Sequence, residues 1–309
     1  MLIALHFVAH VANVNHELFN ADPDKLDTRE VAVSYMPVDG KPDRMHVGAR
    51  SLDLSKWIEI DSDYDQDLSQ KRGLLASKHD EVFVSLPLGD AGSREVLQLL
   101  QEHLPKIFPK RWPDEISFDL SLHPLEAASL LVQEDLCVMT QVGSDWILSA
   151  ASLCFPSRWD VRDKIGKNLL GIHGPVPHYE EAIGTATQNV FDKLTVDRPV
   201  WRVNWTVMDS GELHQPTAVR SSGAMTIDSS NIEDSLYFRR ERQTLRKLPK
   251  SGDILFTIHT YSDTFSQVVQ QFPDFRRHIG ATIAGSTPQL IDYKGWANIL
   301  NEIQSWSRS

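Results

Sequence analysis

Between Val200 and Met208 the chain reads VWRVNWTVM. Trp201, Val203, Trp205 and Val207 fall on one side of an extended segment, and Arg202, Asn204 and Thr206 on the other. Strand side chains alternate between faces, so this period of two commits the segment to a β-strand with two unlike faces. The aromatic face must be covered. The polar face, flanked by tryptophans, is expected to point into the protein rather than to bulk water. One strand cannot achieve this alone, so the chain needs a sheet and a covering layer.

The rest of the sequence supplies both. A short turn and then a helix over DYDQDLSQKRGLLA are expected within Asp53 to Phe83. GSREVLQLLQEHLPKIFP (Gly92 to Pro109) has Val96, Leu97, Leu100, Leu104 and Ile107 at helical spacing, with Ser93 as its cap. HPLEAASLLVQEDL (His123 to Leu136) continues the pattern, with Pro124 at the first helical position and Glu134 and Asp135 pinning the junction that follows. LCVMTQV and WILSAASLCF are apolar and β-rich, joined at Gly143-Ser144, and predict an antiparallel hairpin. EEAIGTATQNVFDKLT returns to helix, and DILFTIHTY (Asp253 to Tyr261) is another strand. The tail DYKGWANILNEIQSW puts Trp296, Ile299, Leu300, Ile303 and Trp306 on one helical face. The expected fold class is therefore α+β, with an antiparallel sheet and helices before and after it. No linker divides the chain, so one domain is expected over 1–309, with an irregular extension over 1–50 and a helical segment over 262–309.

A net charge of −11 argues against nucleic-acid binding, whose footprint is basic. No run of about 18 uncharged apolar residues is present, so no membrane span is expected. The apolar start MLIALHFVAHVANV lacks a basic leader and reads as a strand or docking segment. Two cysteines, Cys137 and Cys154, cannot build a disulfide framework or hold an iron–sulfur cluster, which points to a reducing, cytoplasmic setting. Asp61, Asp63, Asp65 and Asp67 lack the glycine and glutamate spacing of a calcium loop and read as a solvated helix start. GxGxxG after a strand, GxxxxGK[ST], HExxH, CxxC and GxSxG are all absent. His6 and His10 are spaced i, i+4 but lack a third ligand nearby.

Two stretches carry chemistry. GIHGPVPHYEE (Gly171 to Glu181) sets His173 between glycines that permit close backbone approach and prolines that lock φ. His173 is expected on a stiff, non-helical segment suited to aiming a ring. Two readings stand: a turn histidine bonded to backbone, and a ligand or catalyst. FRRERQTLRKLP (Phe238 to Pro249) gathers Arg239, Arg240, Arg242, Arg246 and Lys247 around Glu241. It reads as a surface element with solvated charges or as an anion clamp.

LVQEDLCVM, CFPSRWDVRDKIGKNLLGIHGPVPHYEE, WRVNW and RRERQTLRKLPKSGDILFTIHTY occur in that order. Together they resemble the family of the haem-binding α subunit of haem-dependent oxidative N-demethylase, from about Met45 to about Tyr261. The resemblance implies a PAS-like antiparallel sheet cupping haem b and oxidation of a small secondary amine by dioxygen, with release of an aldehyde. It implies electrons from reductase partners that carry flavin mononucleotide and a 2Fe–2S centre. With it, His173 becomes the expected iron ligand, with His178 and His259 in reserve. Arg202, Asn204 and Arg242 become partners of the haem propionates. Glu241 and Trp205 become the carboxylate and aromatic face for an ammonium substrate. At His259 the resemblance implies an arginine, FTIRTY against FTIHTY here. A haem sensor or carrier without turnover, and a haem-less relative binding another ligand, remain alternatives.

Overall fold

Seven strands form one sheet in the computed structural model, which describes residues 35–43, 48–114, 116–174, 176, 184–217, 227 and 230–309. They are β1 (Arg50–Ser51), β2 (Phe83–Ser85), β3 (Asp135–Val142), β4 (Asp145–Ser152), β5 (Val200–Met208), β6 (Tyr237–Lys247) and β7 (Ile254–Thr264). Their spatial order is β1-β5-β6-β7-β3-β4-β2, and every neighbouring pair is antiparallel. The α+β expectation with an antiparallel sheet is met. The segment 1–14, His6, His10, Met45 and His178 lie outside the described residues.

Local chemistry explains the sheet. Gly143 takes φ 63°, closing a two-residue turn between Val142 and Asp145, as the hairpin reading requires. FRRERQTLRK is neither a surface strand nor a solvated helix. It is the inner strand β6, paired along its length with β5 and β7, and Arg239, Arg240 and Arg242 are buried.

Several helices differ from expectation. The helix Asp90–Ile107 begins before Ser93, whose hydroxyl instead donates to the Gly89 carbonyl at 2.8 Å from within the helix. The next helix covers only Pro124–Ser129 and is capped by His123, because the chain must turn extended to pair Asp135 with Ile258. Asp135 then accepts from the amides of Cys154 (2.8 Å) and Phe155 (2.9 Å), while Glu134 accepts from that of Glu59 (2.9 Å). The tail divides into helices Pro288–Tyr293 and Leu300–Arg308, since Gly295 at φ 70° ends the first. Trp296, Ile299, Ile303 and Trp306 are nonetheless buried together.

Alternation along the strands gives the sheet two unlike faces. On one face, Val96, Leu100 and Leu104 pack on Leu136, Val138 and Leu255. At the other end of that face, Trp296, Ile303 and Trp306 pack with Trp205, Phe238 and Phe265. The opposite face carries Cys137, Met139, Ile254 and Ile258 under Leu169 and Phe191 from segments outside the sheet. Among the described residues no helix is long and apolar enough to cross a membrane.

Gly92 marks how closely the helix Asp90–Ile107 approaches the sheet. A Cβ there would sit against the Asp253 carboxylate and 2.8 Å from Val138 Cγ1. Gly92→Ala should destabilise the fold by about 1–3 kcal/mol in denaturant titration. Gly73→Ala, where nothing lies within 4 Å of the added carbon, should instead gain about 0.5–1 kcal/mol from helix propensity.

Candidate functional site

The second face of the sheet is not fully covered. Between it and the surrounding segments lies a cavity of about 520 Å³, within the range of small-ligand and cofactor sites. Its floor runs from Met139 and Cys137 across Phe256 and Ile258 to Gln243, Glu241, Arg202 and Asn204. Leu169, Ile172, Val190 and Phe191 form an apolar wall.

His173 stands on that wall. The local structure is a single helical turn, Leu169–Ile172, rather than the non-helical segment expected, because Asn168 caps it by accepting from the Gly171 amide at 3.0 Å. His173 follows at φ −94°, ψ 7°, with Nδ1 2.8 Å from the Leu169 carbonyl. A carbonyl only accepts, so Nδ1 carries the hydrogen and Nε2 is the lone-pair nitrogen of the neutral ring. Burial pushes the imidazole below its ordinary pKa and the Leu169 carbonyl opposes it, while Lys164 and Arg202 lower it further. Lys164 donates to the Ile172 carbonyl at 2.5 Å, holding the end of the same turn. Both readings of His173 thus coexist: it is bonded to backbone, and its ring lines a cavity.

At the other end the floor becomes polar. Glu241 accepts from Asn204 Nδ2 (3.3 Å) and Gln243 Nε2 (3.0 Å), with Arg239 Nε at 3.8 Å. Arg202 lines the same region. Lys294 reaches in from the C-terminal segment, 2.8 Å from Asp43 Oδ2 and donating at 2.8 Å to the Trp205 carbonyl. Arg158, also lining the cavity, has a left-handed backbone (φ 60°) and pairs with Asp209 at 2.8 Å. Trp205 borders the cavity, but its ring is stacked on Trp296, with centroids 5.0 Å apart, within the apolar core of the far face.

Two expected site residues are not brought to the cavity. Arg242 lies on the opposite face, 3.0 Å from Glu59 Oε1 and donating to the backbone carbonyls of Lys56 and Trp57. His259 pairs with Arg242 across β6 and β7 and lies 3.1 Å from Asp61 and 3.3 Å from Glu134. Asp61 and Asp67 share the Gln133 side-chain amide at 2.7 Å each, so half of the acidic run is inside the protein rather than solvated. The alternation that separated the faces of β5 also applies to RRERQTLRK. It puts Glu241 and Gln243 together and Arg242 opposite, a signal the sequence contained. Lys164, Arg158 and Lys294 had no comparable signal, since loops and distant segments deliver them.

This donor set fits haem. The apolar wall and floor suit a flat macrocycle, His173 offers a neutral nitrogen whose partner nitrogen is fixed by a carbonyl, and arginine and lysine side chains stand at the cavity for carboxylates. Among the described residues no group of three or more His, Cys, Asp or Glu could hold a bare metal ion. An imidazole in such a setting suits iron already held by a ring.

Fold and site together define an α+β protein with, among the described residues, one imidazole and a cluster of charged groups around a cavity on an antiparallel sheet. The sequence matches the family described as haem-dependent oxidative N-demethylase, alpha subunit-like, over residues 48–304, and the chain belongs to that family. The family description is of a haem-dependent activity and of a subunit, hence of an assembly with partner chains.

Proposed function

We propose that this chain is the haem-bearing oxygenase component of an oxidative N-demethylase, with a PAS-like sheet cupping haem b and His173 as the axial ligand. The observation that carries the reading is the His173 ring on the cavity wall, its Nδ1–H tied to Leu169 so that Nε2 is the donor nitrogen. Arg202 would hold propionate oxygens. Asn204, committed to Glu241, adds an amide donor beside them.

When bound, haem supplies the reductive activation of dioxygen. The chain's own residues bind and orient the amine and exclude water. A dialkylamine is a cation at neutral pH, and Glu241 is the carboxylate on the cavity floor, held by Asn204 and Gln243. In the overall reaction dimethylammonium and dioxygen give methylammonium, formaldehyde and water. One oxygen atom ends in the aldehyde and the other in water, with two protons and two electrons consumed. The electrons come from a separate reductase carrying flavin mononucleotide and a 2Fe–2S centre, which the two buried cysteines of this chain could not hold.

The test is a Soret titration with haemin, then a spectral titration of the loaded protein with dimethylamine, then a formaldehyde assay with and without an electron donor. Haem binding, an amine-induced shift and donor-dependent aldehyde are expected. Glu241→Gln should weaken the amine response about tenfold or more while leaving haem affinity within a few-fold. A loaded, reducible protein that shows neither amine shift nor aldehyde would make this a haem carrier or sensor instead.

A further inference from the structure

We propose that Tyr293 is the specificity-determining residue at the mouth of the cavity, its ring restricting the approach to Glu241 to small alkylammonium ions. The proposal rests on the reading that the cavity takes an amine. Among the described residues the large apolar side chains left exposed are Leu88, Leu120, Val142, Leu170, Val196 and Tyr293. Tyr293 alone of these lines the cavity. A side chain that is 46% exposed and also lines a cavity stands where cavity meets solvent.

The ring stands on a fixed turn. Tyr293 ends the helix Pro288–Tyr293, whose Leu290 is buried and also lines the cavity. The next residue, Lys294, is tied to Asp43 and to the Trp205 carbonyl at 2.8 Å each. Gly295 follows at φ 70°, and a Cβ there would lie 2.9 Å from Arg158 Nη1. Trp296 then enters the core against Trp205. A mouth built on such a turn has a set width, so it can discriminate by size.

Its chemistry suits a cation. The π-face of a tyrosine attracts ammonium ions. Tyr293 and Glu241 line the same cavity; burial raises the Tyr293 hydroxyl above its ordinary pKa, and the Glu241 carboxylate adds to the rise. With the ammonium seated on Glu241, its N-alkyl groups would extend toward the ring. Straight N-methyl groups would clear it, whereas longer or branched N-alkyl groups would meet its edge.

The measurement is isothermal calorimetry on the haem-loaded full chain with dimethyl-, diethyl- and dibutylammonium, for wild type, Tyr293→Ala and Tyr293→Phe. In the wild type, dibutylammonium should bind about tenfold or more weaker than dimethylammonium. Tyr293→Ala should bring that ratio to within about threefold without strengthening dimethylammonium, since the steric limit is removed together with the attraction of the ring for the cation. Tyr293→Phe, which keeps the ring, should retain the wild-type ratio. An unchanged ratio in Tyr293→Ala, with amines still binding, would overturn the filter alone. No binding of any amine to the wild type would overturn both the filter and the amine reading beneath it.

Discussion

His173→Ala is expected to lower haem occupancy after purification to a small fraction of the wild-type value and to move the Soret band of what remains. The substitution removes the one imidazole among the described residues that lines the cavity, while the Asn168 cap and the apolar wall around it are left intact. The fold should survive, because the Nδ1 hydrogen bond of His173 is to the carbonyl of its own turn and the sheet is built from other residues. Circular dichroism should therefore match the wild type. Added imidazole should restore much of the Soret intensity by occupying the vacated position as a free ligand. Unchanged haem content and spectrum in the variant would remove His173 from the iron. Loss in both the variant and a His173→Gln control, without rescue by imidazole, would point to a damaged wall rather than a missing ligand.

The second large effect lies on the opposite face. His259 is 1% exposed, with Asp61 at 3.1 Å on one ring nitrogen and Glu134 at 3.3 Å on the other. Burial alone would lower its pKa, but the two carboxylates reverse this and hold it well above its ordinary 6.5. Burial would likewise raise Asp61 and Glu134, and their bonds to His259 pull both below their ordinary values. His259→Phe keeps a ring to stack on Tyr261 but leaves two carboxylates facing each other without a cation. It should cost about 3–5 kcal/mol in denaturant unfolding.

The pH dependence follows from the signs. The histidine contribution is fully present below about pH 6.5, its unfolded value, and fades as pH rises through the raised folded value. The carboxylate contributions are present above about pH 4 and fade as pH falls through the lowered folded values. The wild type should thus lose stability at both extremes, and His259→Phe should lose the alkaline component together with the part of the acid component that His259 supplies. If the variant unfolds at the wild-type denaturant midpoint at pH 7, the ion triad is not stabilising.

What could be read from residues alone followed the physics of periods. Strands announced themselves: β5 spans the residues at which VWRVNWTVM alternates, and the β3–β4 turn falls on Gly143-Ser144. Helix ends were harder, because Ser93 satisfies the local rule for a cap yet lies one turn inside a helix that starts where the sheet lets it. The arginine segment was misplaced because a run of like charges ordinarily faces water. Here each buried guanidinium meets a specific acceptor: Phe155 and Leu213 carbonyls for Arg239, Asp263 for Arg240, Glu59 for Arg242. Those acceptors lie tens of residues away or more, so no local pattern reveals them. His173, Arg202, Asn204 and Glu241 do share the cavity, whereas Arg242 and His259, paired across β6 and β7, fall by strand alternation on the far face.

The ion pair between Asp43 and Lys294 joins residues 251 positions apart. Synthesis proceeds from the N-terminus, and earlier segments fold first. Asp43, β5 and the wall with His173 all leave the ribosome well before the turn that carries Lys294. Until that turn arrives, the polar end of the cavity stands open on the side of β5 and Asp43 has no lysine opposite it. Capture of a large planar group is therefore compatible with a wide vestibule early in the life of the chain, and the narrow mouth is the last part to be made. The order of translation itself would let the cofactor in before the size limit on smaller molecules is imposed.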